Sequence, residues 1–179
     1  MSEYLHLQTE RLSLRRLTLD DAELMLAVWN DPAFIRYVGD RGIRTIDAAR
    51  VALQEGALKL FSDYGYGPFR VALIADDTPV GVCGLFRREG LEEPDIGFSI
   101  LPRHWRKGYA FEAASAVVRH AKTDIRLERL TAVVSTENAA SVALIEKLGL
   151  QFERMQRLPG DDDDVAVYGM QLNSQCARV

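Results

Sequence analysis

Asp95-Ile-Gly-Phe-Ser-Ile100-Leu-Pro-Arg-His-Trp105-Arg-Lys-Gly-Tyr-Ala110 is the stretch on which the rest of the sequence turns. Residues 95–101 read as a strand that Pro102 stops, because proline has no N–H to give to a ladder. A basic, glycine-containing loop follows, and Gly108 opens a long helix. A strand feeding such a loop and then a helix N-terminus is the architecture of an anion site, since the first N–H groups of a helix are unpaired and its dipole favours negative charge. Arg103, Arg106 and Lys107 supply positive charge, and Gly108 with Ala110 lets a bulky diphosphate approach the backbone. No Gly-Lys-Ser/Thr follows four spacer residues, so the loop is not a Walker loop. A solvated basic turn at a helix start is the plainer reading of the same residues.

Working outward, Ala110, Ala113, Ala114, Val117, Val118 and Ala121 keep helical spacing over three turns, the strongest periodicity in the chain. Residues 130–134 read as a strand, 138–148 as a short helix closed by Gly149, and 150–158 with 165–172 as a hairpin around an acidic loop. On the other side, 69–75 and 80–86 are apolar strands joined by Asp76-Asp-Thr-Pro79. Residues 10–16 alternate with period two, Thr18 caps a first helix that Asp31-Pro32 interrupts, and Thr45 opens a second that Gly65 and Gly67 end. The predicted order is β-α-α-β-β-β-α-β-α-β-β. It is an α+β fold with a mixed, mostly antiparallel twisted sheet of about seven strands flanked by about four helices.

The chain has 179 residues, 26 acidic against 22 basic, with a formal net charge of -4. No repeat, linker or low-complexity tract divides it, so residues 1–179 are expected to form one domain. The acidic balance argues against a nucleic-acid partner, and the lack of a long apolar run argues against a membrane one. Residues 1–16 show no apolar signal core. Cys83 and Cys176 make no disulfide framework, and a reducing cytoplasm is the expected compartment. His6, His104 and His120 have no ligand spacing, so no metal is expected.

Several motifs agree in order with one family. Leu7-Gln-Thr-Glu-Arg-Leu-Ser-Leu-Arg15, Asn30-Asp-Pro32, Asp95 to Ile100, Trp105-Arg-Lys-Gly-Tyr-Ala110 with Glu112-Ala113, Thr136-Glu-Asn-Ala-Ala-Ser141 and Glu146-Lys-Leu-Gly-Leu150 together span most of residues 5–152. In them the chain resembles the GNAT superfamily of N-acetyltransferases, and within it the RimJ/RimL-like ribosomal-protein N-terminal acetyltransferases. The resemblance implies acetyl-CoA as donor and a primary amine as acceptor, with a homodimer by analogy.

It also implies a parts list. Backbone groups of Phe98, Ser99 and Ile100 would hold the pantetheine arm, and Arg103, Arg106, Lys107, Gly108, Tyr109 and Ala110 the diphosphate. Asn138 matches the family asparagine at the pantetheine end. Ser141, one turn later, or water is the candidate proton donor to the departing thiolate, because Ile145 stands where many members carry a tyrosine. Trp105 and Arg106 also replace family residues at the start of the loop. Asp95 and Glu112 are the candidate bases for the amine, each with a bland alternative: a solvated strand edge for Asp95, a first-turn acid for Glu112. Trp29, Phe34 and Tyr37 fall where the branch builds a wall of its acceptor site; core or surface packing is the plainer reading, above all for Trp29. Asp161 to Asp164 form either a steering patch for cationic amines or a solvated turn. Three functions stay open: acetylation of protein N-termini, acetylation of small amines such as polyamines or aminoglycosides, and binding of acyl-CoA without turnover.

Overall fold

Strands that bury both faces need apolar residues on both, and the central strands of this chain have them. In the computed structural model, which describes residues 5–173, Pro68–Leu73 (β3), Pro79–Phe86 (β4) and Asp95–Ile100 (β5) are the middle of one sheet. Residues 1–4 and Cys176 lie outside the described residues. His6–Gln8 (β1) and Leu12–Arg16 (β2) extend the sheet on one side. Arg129–Val134 (β6), Gln151–Gln156 (β7) and Val165–Gln171 (β8) extend it on the other. The order is β1-β2-β3-β4-β5-β6-β8-β7, antiparallel throughout except for the parallel pair β5 and β6. The strand beyond the expected seven is β1, whose three residues are too few to show a period.

One face packs on the helix Tyr109–Thr123 (α5). Its Ala113, Ala114, Val117 and Ala121 are fully buried against Phe69, Leu85 and Ile96, and their small side chains let the helix lie close to the strands. The opposite face packs on Ala22–Trp29 (α1) and Ile46–Leu53 (α3), through Met25, Val28 and Leu53 against Val82 and Leu101. Between them, Asp31 caps the short helix Pro32–Tyr37 (α2) by accepting from the N–H groups of Ala33 and Phe34. The long helix expected from Thr45 onward does form, but a π-helical turn at Gln54–Leu58 separates α3 from Lys59–Tyr64 (α4). The last helix, Ala139–Lys147 (α6), follows β6.

The feature that positions the site is where β5 and β6 part. They are in register only at Asp95 and Thr131, where Thr131 donates from both N–H and hydroxyl to the Pro94 carbonyl. Beyond that point β5 has no neighbour on this side. The Leu101 N–H donates to Val80 and fixes the alternation along β5. Asp95, Gly97 and Ser99 therefore spend their backbone groups on β4, while Phe98 and Ile100 turn theirs into the gap.

Candidate active site

The gap opens into a groove of about 1000 Å³. One wall is the end of β5 and the loop to α5; the other is the N-terminus of α6 with α2 above it. Arg106 and Gly108 both hold left-handed conformations, with φ of +60° and +80°. An arginine thus adopts the conformation usually left to glycine, at a cost of about 1 kcal/mol. The two bends turn the chain so that α5 begins facing the groove. The indole N–H of Trp105 closes the loop by donating to the Ile100 carbonyl at 2.6 Å.

A clamp from the other end of the sequence holds this loop. Arg11 donates to the Lys107 carbonyl at 3.0 Å, pairs with Glu112 and lies over the Tyr109 ring at 4.7 Å. Thr9 donates to the same Glu112 carboxylate. The sequence offered Thr9 and Arg11 only as part of a family motif; that one of their partners is a turn about 100 residues away carries no local signal.

The expected donor-side residues divide. Phe98, Ser99, Ile100, Arg106, Gly108, Tyr109, Ala110, Asn138 and Ser141 line the groove. Arg103 and Lys107 do not, although both are exposed beside it. The Ile100 carbonyl is already taken by Trp105, leaving its N–H and the backbone groups of Phe98 to face the gap. Asn138 is the N-cap of α6, its side-chain oxygen accepting from the Ser141 N–H at 3.2 Å. His104 is buried in the lining and accepts from the Arg103 Nε–H. Burial, with the Arg103 and Lys107 charges, lowers its pKa and keeps it neutral.

A second groove, of about 330 Å³, opens on the α1–α4 face of the sheet. Trp29, Phe34 and Tyr37 line it, with Gly56 and Ala57 of the π-turn and Arg41, Arg87 and Arg88. The two grooves share Phe98, Ser99, Asn138 and Ser141 where the strands part, and Phe34, Tyr37 and Val38 above them, so they meet there.

Of the candidate acid–base groups, only Ser141 lines a groove. Glu112 is tied to Thr9 and Arg11; burial pushes its pKa up, but those hydrogen bonds and the Arg11 charge outweigh it and leave it lowered, which makes it a weak base. Asp95 is not a solvated strand edge: it is 0 % exposed and its Oδ2 accepts from Arg88 Nε at 2.7 Å. Burial raises its pKa against the opposing effect of Arg88. Asp161 to Asp164 line neither groove, and Asp164 pairs with Arg157. Cys83 is buried inside β4, where loss of water pushes its thiol far up. No group of three or more metal-ligating side chains exists among the described residues, and no helix among them is long and apolar enough to cross a membrane.

This combination of a sheet parted between two parallel strands, a basic loop at a helix start and two grooves meeting at the gap defines a class. Residues 11–151 match the model of the acetyltransferase (GNAT) domain. YoaA, an uncharacterized N-acetyltransferase of Bacillus subtilis (strain 168), is 34% identical over 84% of this chain and 85% of its own. The chain belongs to the GNAT acetyltransferases and is an acetyl-CoA-dependent N-acetyltransferase. Two solved structures share the fold at lower identity. RimL, a ribosomal L7/L12 α-N-protein acetyltransferase in complex with coenzyme A, has a TM-score of 0.78 at 17% identity, over 93% of this chain and 97% of its own. A spermidine N-acetyltransferase from Vibrio cholerae in complex with CoA and spermine has 0.75 at 20%, over 92% and 97%.

Proposed function

We propose that this acetyltransferase moves the acetyl group from acetyl-CoA directly to a primary amine within one ternary complex, and that the amine is a peptide or protein N-terminal α-amine. The observation that carries the direct transfer is the meeting of the two grooves at Phe98, Ser99, Asn138 and Ser141. A donor entering along β5 and an acceptor entering from the α1–α4 face arrive at the same few atoms. The buried Cys83, held as a neutral thiol, is unsuited to carry the acetyl group between them. The N-terminal acceptor rests on the RimJ/RimL-like motifs and the fold shared with RimL; the fold shared with a spermidine enzyme keeps small amines as the second reading.

The cosubstrate fits the residues present. The left-handed turns at Arg106 and Gly108 and the start of α5 form the cradle for a diphosphate, and a Cβ on Gly108 would come within 3.3 Å of Arg11. Acetyl-CoA brings a thioester, whose carbonyl carbon is open to an amine nucleophile. The Phe98 N–H, unpaired on the gap side, would donate to the thioester oxygen as charge grows there. The Asn138 side-chain amide would donate to the pantetheine end, its oxygen being spent on the α6 cap. As the new C–N bond forms and the C–S bond breaks, Ser141 would pass a proton to the departing sulfur and regain one from the nitrogen that becomes the amide, directly or through water. The amine must lose its own proton, for an α-amine has a pKa near 8. Asp95, outside the lining of either groove and held by the permanently charged Arg88, would serve that step only through water. We infer further that residues 1–179 work as one such domain in the cytoplasm.

Calorimetric titration with acetyl-CoA, followed by thiol release on adding N-terminal peptides and small amines, tests this. Binding with peptide-dependent release is the expected result. Release with spermidine alone would transfer the enzyme to small amines, and binding without release to any amine would make it an acyl-CoA-binding module.

A further inference from the structure

The acceptor-side groove is lined by three arginines, Arg41, Arg87 and Arg88, and, among the described residues, by no aspartate, glutamate, lysine or histidine. Only one carboxylate among the described residues pairs with them. Buried Asp95 takes the Nε–H of Arg88, which fixes that side chain in place with its guanidinium 5.7 Å from the Phe86 ring. Arg87 spends an amine on the Glu92 carbonyl at 2.7 Å. Arg41 makes no hydrogen bond or ion pair among the described residues; its guanidinium lies over Trp29 at 5.5 Å and Phe34 at 5.8 Å. Arg41 and Arg88 come from loops 47 positions apart in sequence, yet the charge of Arg88 adds to partial desolvation in lowering the pKa of Arg41. Two cations so placed, with terminal amines unpaired among the described residues, favour an anion between them. Guanidinium forks suit carboxylate and phosphate oxygens in particular.

We propose that the acceptor carries an anionic group, a carboxylate or a phosphate, beside the amine that is acetylated, and that Arg41 and Arg88 bind that group. The inference rests on the reading of this groove as the acceptor site. It takes the opposite sign from the acidic loop: Asp161 to Asp164 lie outside the groove, whereas the arginines line it, so a polyamine would bring its charge against theirs. The aromatic rings under Arg41 give the rest of the acceptor an apolar wall and hold the arginine in place. A free amino acid and the start of an acidic peptide offer the same chemistry, and the assay separates them.

The test is the kcat/KM for thiol release at saturating acetyl-CoA with matched acceptors. An amino acid is set against its amide, the peptide Ser-Glu-Glu-Ala against Ser-Gln-Gln-Ala, both as C-terminal amides, and spermidine against both pairs. The anionic member of at least one pair should be preferred about tenfold or more, the worth of hydrogen bonds to a charged group. Which pair shows it names the source. Raising NaCl should shrink the preference. Arg41→Gln should bring the ratio toward one while urea unfolding stays two-state, since that side chain holds no ion pair among the described residues. Equal or higher kcat/KM with the neutral acceptors or spermidine would overturn the proposal, as would an unchanged ratio in Arg41→Gln. No release with any acceptor, despite acetyl-CoA binding, would overturn the transferase reading and this inference with it.

Discussion

The two grooves that meet at Phe98 are built on opposite plans. The groove proposed for the donor is a backbone construction: N–H groups of β5, two left-handed turns at Arg106 and Gly108, and the starts of α5 and α6, drawn mostly from residues 98–111 and 137–144. The groove proposed for the acceptor is a side-chain construction, with Trp29 from α1, Phe34 and Tyr37 from α2, Arg41 from the next loop, Ala57 from the π-turn, and Arg87 and Arg88 from just past the end of β4. A backbone site recognises what every donor of this kind has in common, and many sequences can make it. A side-chain site is remade whenever a residue changes. RimL and a spermidine enzyme accordingly share this fold while the acceptors they are named for differ.

Breaking the acceptor side should cost the most. Arg88→Ala leaves Asp95 buried without its partner, and we expect a loss of about 3 kcal/mol in urea unfolding. The cost is held down because burial already raises the pKa of Asp95 and lets it take up a proton. Arg88→Ala as stable as wild type would mean the pair does not organise the groove. On the donor side the clamp is the point to break. Arg11→Ala removes the bond to Lys107 and the pair to Glu112, and should raise the KM for acetyl-CoA about tenfold, the effect of one lost charge-assisted bond, with a smaller change in kcat. A KM unmoved by this substitution would show that the loop holds its shape unaided.

Smaller effects sharpen the same contrast. Asn138→Ala removes the cap of α6 and should cost about 1 kcal/mol, a fall of about 2–4 °C in Tm, together with a lower kcat or weaker cofactor binding. Loss of stability with neither kinetic change would leave Asn138 as a cap alone. Arg106→Gly relieves a left-handed arginine and should stabilise by somewhat under 1 kcal/mol, while weakening acetyl-CoA binding through the lost charge. Tighter binding would mean that the side chain obstructs the cradle.

The same contrast governs what could be read from the sequence. The strand, turn and helix that wall the first groove were legible because they are contiguous: a strand, Pro102, a basic turn, Gly108 and an alanine-rich helix lie within 30 residues. The small residues of α5 announce their packing by spacing alone. By contrast β1 escaped because three residues carry no period, and the π-turn escaped because Leu53, Ala57, Leu60 and Phe61 fit an uninterrupted α-helix equally well. Asp95 was legible as a position and illegible as an environment: nothing local says that Arg88, seven residues earlier, folds back across the β4–β5 turn to meet it. Arg41 gave no signal at all, since its neighbours Trp29 and Arg88 are brought to it only by tertiary packing. Glu112 shows the converse. A first-turn acid reads as a helix-dipole residue or a base, and its actual partners, Thr9 and Arg11, sit at the far end of the chain.

The central claim, direct transfer between two grooves that meet, is tested most directly by initial rates of thiol release with acetyl-CoA and a peptide amine varied against each other. Lines that intersect in the double-reciprocal plot, with no acetyl group on the intact protein by mass spectrometry after acetyl-CoA alone, are the result expected of a ternary complex. Parallel lines together with a stoichiometrically acetylated protein would show an acetyl-enzyme and contradict the account.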